Sequence, residues 1–179
     1  NGRLFAGNVY QGGKAMGDRM LISPAWNYDI LPEINFLDLA IGDGDEIVKL
    51  ESYADRVLQF KKRHLYILNV GGDEGEEFVE SEHKNMGVEN PSQTCETEFG
   101  IAWVNSRGVF LYDGEKVNDL SSKKLKITDT TNRYRALNIT ESNIPLIGYH
   151  PNNKWLIIHP QSNVTGAYED EAWIFDFKV

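Results

Sequence analysis

The chain has 179 residues, 41 % hydrophobic and 11 % aromatic, enough to bury one sizeable core. A formal net charge of −9 argues against wrapping nucleic acid by phosphate neutralisation, which needs a clustered basic face. The lone cysteine, Cys95, excludes an internal disulfide framework, and no hydrophobic run approaches the length of a membrane helix.

The chain opens on Asn1 and enters a strand-like run at once, with no signal-peptide pattern, so the expectation is a soluble piece of a longer protein. Four apolar runs recur along it: Arg19-Met20-Leu21-Ile22, His64 to Leu68, Gly108 to Tyr112 and Lys154 to Ile158. Their first apolar residues, Met20, Leu65, Val109 and Trp155, stand 45, 44 and 46 residues apart. That period fits one four-stranded propeller blade.

The first run pairs with Arg3-Leu4-Phe5-Ala6 through a longer connection around Gly12-Gly13. The other three follow a strand-like partner across a polar turn: Arg56 to Phe60 before Lys61-Lys62-Arg63, Gly100 to Val104 before Asn105-Ser106-Arg107-Gly108, and Pro145 to Tyr149 before His150-Pro151-Asn152-Asn153. Each unit therefore reads as a hairpin. The best helix candidate, Asp38 to Ile41, is cut short by Gly42 and Gly44. The fold expectation is all-β: a β-propeller-like array of antiparallel blades spanning residues 1–179, about four blade-like units of a larger propeller.

Few residues carry a chemical signature. Gly42-Asp43-Gly44-Asp45-Glu46 has carboxylates alternating with glycine, as calcium loops do, but Ile47 stands where the next ligand belongs, so a tight turn into a strand is expected. Asp73-Glu74-Gly75-Glu76-Glu77 reads as a solvated loop. Basic residues cluster at Lys61-Lys62-Arg63 and Lys123-Lys124-Leu125-Lys126, where solvated turn charges are expected. Cys95, placed just before a strand, is expected to be a buried, inert thiol. His150 and His159 flank a hairpin without a third ligand. Asn138-Ile139-Thr140 and Asn163-Val164-Thr165 match the glycosylation tripeptide, which counts only in a secreted context. Trp103, Tyr112, Trp155 and Trp173 are expected to pack between sheets, and Trp26, near Pro24 and Tyr28, to be an exposed contact. No catalytic, cofactor-binding or metal-ligating residue is assigned.

Residues 43–114 carry a resemblance. Asp43-Gly44-Asp45 with Ile47, Leu58-Gln59-Phe60-Lys61 with Leu65-Tyr66, Gly87-Val88 with Pro91-Ser92, and Gly108-Val109 with Asp113-Gly114 follow one another as in β-propeller structural proteins of tailed bacteriophages. Trp103 and Val104 stand where that group often has Phe and Leu. The final unit, with Trp173-Ile174-Phe175-Asp176-Phe177, is similar to a generic WD-like blade. The resemblance implies a non-enzymatic virion protein of the tail or head-to-tail connector, partnered by other virion proteins and by copies of itself, with DNA passing nearby. Two other classes stay open: a glycan-binding adhesin using Trp26, Tyr28 or Tyr168, and a carbohydrate-active enzyme with two facing carboxylates.

Overall fold

The computed structural model describes residues 2–121, 144–159 and 172–178. Fourteen strands there form four antiparallel sheets of three, four, four and three strands, each sheet running in chain order. None is shown closed on itself. The chain divides into two compact units, Asn1–Gly87 and Val88–Val179, and each holds two sheets.

In the first unit, β1 (Phe5–Gln11), β2 (Lys14–Ile22) and β3 (Phe36–Asp38) form one sheet. The first hairpin is tighter than its sequence suggests. β1 and β2 run up to Gly12 and Gly13, which turn the chain alone because both sit at positive φ, 57° and 80°. The β1–β2 ladder is irregular between Gly7 and Val9, where Asn8, at φ 54°, stands opposite the longer β2 stretch Gly17 to Arg19.

The second sheet is β4 (Ile47–Tyr53), β5 (Arg56–Lys61), β6 (His64–Asn69) and β7 (Phe78–Lys84). β5 and β6 pair from Arg56↔Asn69 to Phe60↔Leu65, the hairpin expected. Their continuous apolar runs are those of strands buried on both faces. Val57, Tyr66 and Leu68 face a core shared with Met20 of β2 and Leu37 of β3, while Leu58, Phe60, Leu65 and Ile67 are buried on the opposite face. Burying each such side chain contributes roughly 1.5–3 kcal/mol.

In the second unit, β8 (Thr94–Thr97), β9 (Gly100–Asn105), β10 (Gly108–Tyr112) and β11 (Val117–Asp119) form the third sheet. The fourth is β12 (Leu146–His150), β13 (Trp155–His159) and β14 (Trp173–Asp176). Both expected hairpins are present, β9–β10 and β12–β13. Ala102, Val104, Val109 and Leu111 pack against Leu156, Ile158 and Phe175, with Trp173 at the margin. Trp103 and Tyr112 are buried on the other face of the third sheet, Trp103 stacking on Phe110 with ring centroids 5.5 Å apart. Trp155 is half-buried and donates its indole N–H to Asp176 Oδ2 at 3.3 Å.

Cys95 lies within β8, not before it, and its thiol is half-buried rather than enclosed, because β8 is an edge strand of its sheet. Lys123, Lys124, Lys126, both glycosylation tripeptides at Asn138 and Asn163, and Tyr168 lie outside the described residues.

Candidate functional site

Strand parity sets up the most elaborate polar cluster among the described residues. Asp18 shares the inward parity of Met20 on β2, and Lys61 that of Val57 on β5, so two opposite charges point toward the same core. Between β3 and β4, Ala40, Gly42 and Gly44 all take positive φ and fold the Asp43 and Asp45 carboxylates back over this place.

Lys61 is fully buried, which corrects the expectation of a solvated turn charge. As the last residue of β5 it lays its stem along the core and ends its ammonium in a ring of oxygens. Nζ donates to Asp18 Oδ1 at 2.6 Å and Leu39 O at 2.9 Å, with Ala40 O and Asp43 Oδ1 at 3.5 Å. Asp45 is buried beside it. Its Oδ1 accepts the Lys62 N–H at 2.8 Å, and its Oδ2 accepts the Arg63 N–H at 3.0 Å and lies 3.2 Å from His64 Nδ1. One carboxylate thus caps the whole β5–β6 turn. Gly87 closes the other side, where a Cβ would overlap the Lys61 carbonyl oxygen and the Lys62 backbone.

The Asp43, Asp45 and His64 donor atoms lie within 4.8 Å of one another, close enough to hold a metal ion. Cationic side chains already stand against the two carboxylates: the Lys61 ammonium 3.5 Å from Asp43 and the Arg63 guanidinium 3.9 Å from Asp45. The glycine–aspartate segment is a tight turn into β4, as expected. Burial first, and then the negative field of Glu82, Asp43, Asp45 and Asp18, raises the Tyr66 phenol above its ordinary pKa.

An open cleft of about 410 Å³ adjoins the cluster, lined by Gly17, Asp18, Gly42, Gly44, Asp45, Glu46 and Lys62. It has the size of a ligand pocket without the apolar lining such pockets usually have. The Lys61 and Asp45 contacts beside this cleft pin the β5–β6 turn.

The remaining candidates are dispersed. Trp26 is exposed on the loop between β2 and β3, as expected, and Tyr28 is exposed beside it in sequence. His150 and His159 sit at opposite ends of the β12–β13 ladder. Most of the acidic loop at Asp73–Glu76 is exposed, but Glu77 is a correction: its carboxylate is buried against Arg3, which also donates to Val70 O at 2.6 Å. Two groupings carried no local sequence signal. One is that Arg3–Glu77 pair. The other is Glu98, which accepts the Tyr149 hydroxyl at 2.7 Å and the Lys154 ammonium at 2.5 Å. Asp18 and Lys61 did carry one, a charge at inward parity on each strand. Neither a protein-family model nor a curated protein sequence matches the chain.

Proposed function

We propose that the chain is a non-enzymatic structural module of a tailed-phage virion, a β-propeller array of the tail or head-to-tail connector around the DNA exit channel. Its partners in this reading are other virion proteins and copies of itself, and DNA passes its acidic surface without being held.

One observation carries the reading: the residues behind the resemblance hold backbone in place. Asp43 and Asp45 hold the Lys61 turn, Gly87 packs on that turn, and Asp113 Oδ1 accepts the Glu115 and Lys116 N–H groups at the end of β10. Sheets that are each completed by consecutive strands make rigid wedges that need no cofactor and leave their rims free for assembly. The test is proteomics and electron microscopy of purified tailed-phage particles from the source material. The chain is expected in the virion, in rotationally symmetric density at the tail or connector. Its absence from purified particles, or glycosidase activity that depends on its carboxylates, overturns the reading.

A further inference from the structure

The β2–β3 loop has a composition that packing does not account for. Trp26 is 77 % exposed, Tyr28 50 %, Ile30 51 % and Ile34 90 %. The two aromatics alone expose roughly 300 Å², comparable with the largest apolar patch of an ordinary monomer before either isoleucine is added. The loop is nonetheless tied down. Ile22 N–H donates to Asn35 O at 3.0 Å, Ser23 N–H to Leu4 O at 2.9 Å and Asn35 N–H to Pro32 O at 3.1 Å, while the Asn35 amide reaches Ile22 O and Glu74. Trp26 is held at φ 61°, unfavourable for a bulky residue, by its N–H bond to Gly2 O at 2.6 Å. The absence of a side chain on Gly2 leaves room for the indole. A strained, pinned and exposed tryptophan is presented rather than stored.

Charge says what it is presented to. No lysine or arginine occurs between Arg19 and Lys49, while Asp29 and Glu33 interleave the exposed apolar residues. The flanking cations are committed elsewhere: Arg3 to Glu77, and Arg19 to Asp38 with its guanidinium 3.7 Å from the centre of the Phe36 ring. A second copy of the same acidic loop would bring like charges together. We propose that this loop docks a cationic, apolar polypeptide segment of a partner protein, whose Lys or Arg side chains meet Asp29, Glu33 and the faces of Trp26 and Tyr28 while its apolar side chains cover Ile30 and Ile34. The proposal needs a protein partner but no virion, so binding in isolation tests it apart from that reading.

The experiment is fluorescence-anisotropy titration of the full chain against a labelled alternating lysine–leucine peptide. Oligolysine and an alternating glutamate–leucine peptide of equal length serve as comparisons. The lysine–leucine peptide is expected to bind best and the glutamate–leucine peptide not at all. Ile34→Ser and Trp26→Ala are each expected to weaken binding about tenfold, and Asp29→Asn with Glu33→Gln to flatten its salt dependence. Both loop residues are solvent-facing, and amide hydrogen exchange of β2 checks that the variants keep the fold. Equal binding of oligolysine with variants that bind like the parent overturns the proposal, because the net charge alone then attracts the peptide. Self-association of the chain abolished by Ile34→Ser also overturns it, because the occupant is then a second copy. Glycan binding lost in Trp26→Ala, without peptide binding, overturns it in favour of a sugar.

Discussion

The β5–β6 and β9–β10 hairpins have the same plan, two buried strands joined by a two-residue turn, yet their turns are held in opposite ways. At Lys62-Arg63 both turn amides are capped by Asp45, 17 and 18 residues away, and the preceding Lys61 sends its ammonium to Asp18, 43 residues away. At Ser106-Arg107 the cap is local: Asn105 Oδ1 accepts the Arg107 N–H at 2.8 Å, two residues on. A hairpin can thus close on its own residues or recruit distant ones. Recruitment makes the turn a joint between sheets, but it also places an uncompensated charge in the core whenever one member is lost.

The largest expected effect tests that liability. Asp18→Ala leaves the Lys61 ammonium fully buried with only Leu39 O, Ala40 O and Asp43 about it, and should cost about 3 kcal/mol. Lys61→Met keeps the stem and removes the charge, and Asp18 is exposed enough to be rehydrated, so its cost should stay near 1 kcal/mol. Hydrogen exchange of the β5 and β6 amides in the two variants measures both. Equal costs would mean the cage is a surface pair rather than a buried joint. Next comes Gly87→Ala, whose methyl must displace the Lys61–Lys62 backbone and should cost about 2 kcal/mol, with loss of protection centred on the Lys62 and Arg63 amides. Loss spread evenly over the first unit would detach Gly87 from the turn.

Asn105→Ala should cost only about 1 kcal/mol, the ordinary value of a lost side-chain cap, with the effect confined to the β9–β10 turn. Urea denaturation followed by tryptophan emission reads this, since Trp103 is buried in β9. A loss as large as that of Asp18→Ala would erase the distinction between local and recruited closure.

The two hairpins were equally legible in the sequence and their closures were not. β5–β6 and β9–β10 announce themselves because continuous apolar runs buried on both faces are interrupted by short polar turns. The first hairpin was legible except at its tip, where Gly12-Gly13 performs the turn that a longer connection was expected to make. Lys61 is hidden in the sequence because it adjoins the exposed turn residues Lys62 and Arg63 while belonging to β5. Counted by alternation from Val57 it points inward, and the same count from Met20 turns Asp18 inward, so the pair could have been found by parity. Arg3–Glu77 could not, since those residues are 74 positions apart and neither sits in a pattern that names the other. Cys95 reads as lying just before a strand because β8 is short and polar and is defined mainly by its pairing with β9.

The β12–β13 hairpin supplies the third case, a recruited tie left in solvent, and the smallest expected effect. Lys154, in its turn at φ 58°, and Tyr149, on β12, both reach Glu98 from more than 50 residues away. The hydrogen bonds from Lys154 and then Tyr149 hold the Glu98 carboxyl below its ordinary pKa. Desolvation and then the Glu98 hydrogen bond push the Tyr149 phenol up to about 12. With its folded pKa depressed, Glu98 contributes above the ordinary carboxylate range and loses that contribution as pH falls through the depressed value. With its folded pKa raised, Tyr149 contributes fully below the ordinary phenol value of 10.0 and loses that contribution as pH rises through about 12. Carbon NMR of the Tyr149 ring should therefore show a proton retained between those values in the parent and released earlier in Glu98→Gln, with urea stability at neutral pH nearly unchanged because the tie is exposed and screened. A Tyr149 midpoint that stays at about 12 in Glu98→Gln would leave desolvation alone in control of it. The β12–β13 turn would then join β9–β10 as a hairpin closed by its own residues, and recruitment would belong to the first unit only.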